Sequence, residues 1–97
     1  MQFKELEWKD HISDDVIVCS HCEINLCGVI QMKFTINHDP QDDKYYLYCF
    51  GKGRLRRLQP EKYDSVEMAK SMAYKIYSNE MTRIKKAIDF LVADDCY

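Results

Sequence analysis

The chain has 97 residues, with 14 Lys and Arg against 16 Asp and Glu, for a formal charge of -2. That length suits one domain, and the near-neutral balance excludes both a strongly basic nucleic-acid coat and a strongly acidic DNA mimic. No apolar run reaches the roughly 18 residues of a membrane span and no apolar leader opens the chain, so the cytosol is the expected compartment.

Residues 1–28 carry little periodic signal. Phe3, Leu6, Trp8 and Ile12 are scattered among charges. Asp14-Asp15 marks a turn before the short apolar run Val16-Ile17-Val18. A cysteine-rich segment follows, Cys19-Ser20-His21-Cys22-Glu23-Ile24-Asn25-Leu26-Cys27, and reads as a loop.

From Val29 the pattern is clear. Ile30, Met32, Phe34 and Ile36 alternate with Gln31, Lys33 and Thr35, the period of a half-buried strand. Residues 37–43 hold Asn, Asp and Pro, the chemistry of a turn. Lys44 to Phe50 is a second strand rich in Tyr, and Arg54 to Leu58 a short third one ending before Pro60. Pairing Asn37 with Lys44 puts Ile36 opposite Tyr45, Phe34 opposite Leu47 and Met32 opposite Cys49. One face then holds Ile30, Met32, Phe34, Ile36, Tyr45, Leu47 and Cys49. The other holds Gln31, Lys33, Thr35, Tyr46, Tyr48 and Phe50.

The last third predicts a long helix, Ser65 to Leu91. Asp64 is its expected N-cap, and Glu67 completes a capping box, with Tyr63 and Met68 as the staple around it. Ala69, Met72, Ala73, Ile76, Ile84, Ala87, Ile88 and Leu91 make an apolar stripe. Glu80 and Arg83 interrupt that stripe, so they pair with each other or the helix has left the sheet by then. At about 1.5 Å per residue the helix outruns a strand. Its second half, with Met81, Ile84, Ile88 and Leu91, is expected to pack on the N-terminal segment, a neighbouring subunit or a partner. The predicted architecture is α+β: a small antiparallel sheet of about three strands under one long C-terminal helix. It forms one domain over 1–97, divided into the N-terminal segment 1–28, a β-meander 29–58 and the helix 64–92.

Cys19, Cys22 and Cys27 form the densest group of metal-ligand chemistry. A Cys-x-x-Cys step with a third thiolate and an imidazole suits a closed, tetrahedral structural zinc site. The expected ligands are Cys19, Cys22, Cys27 and His11, with His21 the alternative fourth and Cys49 discounted. The competing reading is ordinary buried free thiols. A redox Cys-x-x-Cys lacks the helix N-terminus that lowers a thiol pKa. His38-Asp39-Pro40 faintly resembles a zinc-supported nuclease motif but reads better as a hairpin turn. No Ser-His-Asp order, phosphate loop or close carboxylate pair is present, so the chain is read as a non-enzyme.

Lys52, Arg54, Arg56, Arg57 and Lys62 lie close in sequence to Tyr46, Tyr48 and Phe50. Basic residues interleaved with aromatics suit a nucleic-acid strand, while a charged edge strand is the plainer reading. One helix covers one sheet face, so the aromatic face needs a cover or a partner. Tyr46, Tyr48, Phe50, Lys52, Arg54 and Arg56 are therefore the expected partner-binding residues.

Trp8, Gly28 and the run Tyr63-Asp64-Ser65-Val66-Glu67-Met68-Ala69-Lys70-Ser71-Met72-Ala73 resemble a layout common among small phage- and prophage-encoded proteins, and Tyr77 and Ile84 continue it. The cysteine group departs from that layout. The resemblance covers most of the chain and implies an accessory protein acting in the bacterial host's cytosol. Such proteins include anti-CRISPR proteins, which bind CRISPR-associated nucleases and block target recognition. The leading expectation is an inhibitor of that type, with a protein partner. The alternatives are a zinc-stabilised nucleic-acid-binding regulator and an assembly protein that dimerises through its helix.

Overall fold

A computed structural model describes residues 3–26, 30–51 and 60–91. The chain folds into a five-stranded antiparallel sheet in the order β1-β2-β3-β4-β5, followed by one helix. The strands are β1 Lys9–Ser13, β2 Val16–Leu26, β3 Ile30–Asp39, β4 Lys44–Gly51 and β5 Glu61–Tyr63, and α1 spans Val66–Leu91. The α+β class is as expected, but there are five strands where about three were predicted. The predicted strand Arg54 to Leu58 lies outside the described residues.

The largest difference is β2. Cys19 to Leu26 of the cysteine segment do not form a loop. They belong to the sheet's longest strand, 11 residues, which pairs with β1 and β3. Ser20, Cys22 and Ile24 turn toward the helix while Cys19, His21 and Glu23 turn away, the alternation any strand imposes. β1 joins β2 through Asp14 and Asp15, whose φ angles of 51° and 63° are both positive. That is the turn whose twist suits a tight hairpin, and aspartate tolerates it.

β3 and β4 pair with Ile36 opposite Leu47, Phe34 opposite Cys49 and Asp39 opposite Lys44. The predicted register was displaced by two residues, because the strand runs on to Asp39 and the turn is shorter than its composition suggests. A shift of two preserves faces, so every inward and outward assignment among the described residues of this pair survives. The turn closes with the Asp43 amide donating to the Asp39 carbonyl at 2.8 Å and the Gln41 amide donating to the Asp39 carboxylate at 2.9 Å.

The core lies between the inner sheet face and the first half of α1. Cys22, Met32, Phe34, Ile36, Leu47 and Cys49 meet Val66, Ala69, Ala73 and Tyr77. Ala69 and Ala73 are fully buried, and their small side chains let the helix backbone come close to the sheet. The helix cap sits one residue later than predicted. Ser65, not Asp64, is the N-cap, and its hydroxyl accepts from the Met68 amide at 3.2 Å. Asp64 instead accepts a hydrogen bond from the Lys44 ammonium.

Phe3, Leu6 and Trp8 pack along the helix as a strap. Phe3 meets Tyr77 edge-on at 6.1 Å, the Tyr74 hydroxyl donates to the Phe3 carbonyl at 2.9 Å, and Lys70 Nζ lies 5.6 Å from the Trp8 ring centre. The described part of the N-terminal segment thus packs along the first half of the helix. Met81 is the last helix side chain packed against the core. Beyond it Ile88, Phe90 and Leu91 are 54%, 88% and 80% exposed. Arg83 and Glu80 do pair, with Nε donating at 3.0 Å.

Candidate functional site

The sheet has two faces and the helix occupies one. On the face that the described residues leave uncovered, Tyr46, Tyr48 and Phe50 of β4 stand in one row. Each lies opposite an outward polar residue of β3: Tyr46 opposite Asn37, Tyr48 opposite Thr35 and Phe50 opposite Lys33. Continuing across the sheet, Thr35 lies opposite His21 and Asn37 opposite Cys19. Cys19 in turn faces His11 on β1, and the His11 and His21 rings stack with centres 5.3 Å apart. The face therefore runs from an aromatic row on β4 to an imidazole pair on β1 and β2.

Alternation built this surface, and tertiary pairing widened it. The inward positions of β3 and β4 are apolar and core-buried, which forces their neighbours outward. The aromatic row is held firmly at one end. The Tyr46 hydroxyl donates to the Asp42 carboxylate at 2.7 Å. That bond raises the Tyr46 pKa to about 12 and lowers that of Asp42. Lys62 on β5 lies opposite Tyr46, with its ammonium 4.0 Å from Asp42. His38, read from the sequence as part of the turn, lies in β3 just before it: its ring is tilted against Tyr45 with centres 4.7 Å apart, and its Nε2 lies 2.8 Å from the Asp43 carboxylate.

Two shallow depressions flank the row. One, of about 430 Å³, is bordered by Asn37, Asp39, Pro40, Tyr46 and Tyr48. The other, of about 420 Å³, is bordered by Glu23, Gln31, Lys33 and Phe50. Both are open troughs suited to side chains of a partner, unlike the deep apolar pocket that buries most of a small ligand.

Of the four residues expected to hold zinc, the three that are described, His11, Cys19 and Cys22, are not brought together. Cys19 and His11 belong to the open face. Cys22, three positions on from Cys19 in a strand, must point the other way, and it is 3% exposed in the core. Burial raises its pKa to about 11, and Cys49, across Phe34 from it, is raised to about 11 for the same reason. Among the described residues no three His, Cys, Asp or Glu side chains converge on a point. Cys27 lies outside the described residues, as do Lys52, Arg54, Arg56 and Arg57.

Sequence reasoning identified Tyr46, Tyr48 and Phe50 but missed the β1 and β2 side of the same face. The signal was present: Ser20, Cys22 and Ile24 alternate with Cys19, His21 and Glu23 at the period of a strand. The metal-ligand spacing of the same residues masked it. Among the described residues no helix is long and apolar enough to cross a membrane. The chain matches no protein-family model, no curated protein and no solved structure, so its residues and geometry alone carry the functional reading.

Proposed function

We propose that this chain is a binding protein that works through the open face of its sheet, and that its partner is a bacterial defence nuclease of the CRISPR-associated type whose nucleic-acid-handling surface it occludes. The observation that carries the binding role is the row Tyr46, Tyr48 and Phe50 on a face that no element among the described residues covers. Tyr and Phe concentrate at the centres of protein interfaces because they bury large area with few rotatable bonds.

Among the described residues the charges near the row favour a protein over a bare nucleic acid. Lys33 and Lys62 are interleaved with Glu23, Asp39 and Asp42. A phosphate backbone asks for a continuous positive track, whereas a protein surface presents both signs. The class of partner rests on the phage-type layout of Trp8, Gly28 and the helix-opening run from Tyr63 to Ala73.

The test is co-purification of the chain with a panel of CRISPR-associated nucleases, with target cleavage and DNA loading measured in parallel. A stable complex with loss of loading supports the reading, and Tyr48→Ala should weaken both together. Absence of any complex removes the nuclease as partner. Binding to DNA alone that falls steeply with salt replaces this reading with direct nucleic-acid recognition.

A further inference from the structure

Strand alternation sends Cys22 away from Cys19 into the core, but the pairing of β1 with β2 brings two imidazoles beside Cys19. His11 lies directly opposite Cys19 across the β1–β2 ladder, and His21 follows Cys19 by two positions on β2. Directly opposed residues share a face, and so do residues two apart on one strand. All three side chains therefore stand on the open face, in a triangle whose Cβ atoms are about 5 to about 8 Å apart. Among the described cysteines Cys19 alone lies outside the core.

The spacing suits a zinc ion. Zinc takes imidazole nitrogen at about 2.0–2.1 Å and thiolate sulfur at about 2.3 Å, in tetrahedral geometry. Two imidazoles on one such ion have ring centres about 5 Å apart, and the His11 and His21 centres are 5.3 Å apart. Their planes are inclined by only 25°, so the rings stack and the three donors do not converge as they stand. Convergence needs rotation about the side-chain bonds of exposed His11 and half-buried His21, with no change in the backbone.

The ladder is irregular at this place. His11 pairs with Cys19 but Ile12 pairs with Ile17, which leaves Val18 as the extra residue of a bulge. A bulge re-aims the side chains next to it. The charges nearest on the same face are Lys9, opposite His21, Glu23, two positions beyond His21, and Lys33, opposite Glu23. Glu23 offsets one lysine, and a Cys19 thiolate adds a negative charge beside the ion.

We propose that His11, Cys19 and His21 bind one zinc ion at the β1–β2 end of the open face. Cys19 binds as the thiolate, giving its proton to solvent, and both imidazoles bind in the neutral form. Three protein ligands leave one coordination position to water. The ion ties the edge strand β1 to β2, on the side of the sheet where Tyr46, Tyr48 and Phe50 stand. The site does not depend on the identity of the partner proposed above, and its test uses the chain alone.

Zinc titration of the whole chain against a chromophoric chelator, with cobalt as the spectroscopic probe, tests this. Wild type should bind one zinc per chain, gain thermal stability from it and, with cobalt, show a thiolate-to-metal charge-transfer band. His11→Ala and His21→Ala should each weaken zinc binding by about tenfold or more. Cys19→Ser should do the same and remove the charge-transfer band. Cys22→Ala and Cys27→Ser should bind zinc as wild type does. Zinc should protect Cys19 from alkylation without changing the rate at Cys22. The three ligand positions lie outside the core, so in chelator their variants should keep the wild-type thermal midpoint. A wild-type chain that binds no zinc from a molar excess overturns the proposal. Affinity unchanged in both histidine variants overturns the ligand set, and so does affinity lost in Cys22→Ala or Cys27→Ser.

Discussion

Cys22 lies opposite Phe34 on the helix side of the sheet, while Cys19, on the same strand, points to the open side. An odd step along a strand reverses the face, so a spacing that unites two thiols in a loop separates them here.

The first prediction follows from that separation. In native protein at pH 8, a thiol-alkylating reagent should modify Cys19 much faster than Cys22 or Cys49, whose burial raises both thiols to about 11. Peptide mapping by mass spectrometry gives the order. Cys22→Ser should cost about 1–3 kcal/mol by placing a hydroxyl in the core, and Cys22→Ala less than Ser. The cost of Cys22→Ala relative to wild type should be the same with and without a zinc chelator. If the chelator abolished it, Cys22 would be a metal ligand and the packing account would fail.

A second prediction concerns the polar clamp at the β1 edge. Ser20 is fully buried and its hydroxyl donates to the Asp10 carboxylate, which also accepts from Lys70 Nζ at 3.0 Å. One carboxylate thus ties β1, β2 and α1 together. Ser20→Ala should cost about 1 kcal/mol. The Ser20 bond, then Lys70, lowers the Asp10 pKa from 3.8. A lowered carboxylate stabilises the fold above its unfolded pKa, and that contribution fades as pH falls through the lower folded value. Thermal midpoints of wild type and Asp10→Asn should therefore differ at pH 7 and converge as pH drops below 3.8. A gap that stays constant down to the acid limit would show that the clamp is not ionic.

The helix cap supplies a third. Ser65→Ala should destabilise by about 1 kcal/mol through loss of the bond to the Met68 amide. Asp64→Ala removes only an exposed pair with Lys44 and should cost less. Chemical denaturation of the two variants separates them, and the reverse order would move the cap to Asp64.

A fourth addresses the open face. Tyr46→Phe should shift stability by no more than about 0.5 kcal/mol, since the bond to Asp42 is at the surface. In Asp42→Asn the Tyr46 phenol should titrate below its value of about 12, because the bond to the Asp42 carboxylate is the largest cause of the rise. Absorbance at alkaline pH follows it. Tyr48→Ala and Phe50→Ala should leave the fold intact and weaken partner binding by about 10- to 100-fold each. Unchanged affinity in both variants would move the interface off this face.

Much of the fold is legible before any coordinates. The alternation from Met32 to Ile36 and from Tyr45 to Phe50 settles which side chains face inward, and the pairing error of two residues left every face unchanged. The long helix and its overhang follow from its apolar stripe and length. The strand at Cys19–Cys22 did not emerge, because metal-ligand spacing competes with a short period-two signal carried by small residues. The strap of Phe3, Leu6 and Trp8 has no local periodicity and makes sense only against Tyr74 and Tyr77. Of the candidate surface, the β4 row was readable; its extension through Thr35 and His21 to His11 required knowing that β2 and β1 join the sheet.

By itself the sequence determined sidedness within β3, β4 and α1, since period and polarity are local properties of a chain. It also determined that Tyr46, Tyr48 and Phe50 share the sheet face opposite the helix. Only the tertiary structure decided which distant segments meet. Strand order, the N-terminal strap, the clamp of Asp10 with Lys70 and the burial of Cys22 beside Phe34 all depend on contacts between residues far apart in sequence. Such contacts are selected by how the whole core packs, and no local pattern encodes them.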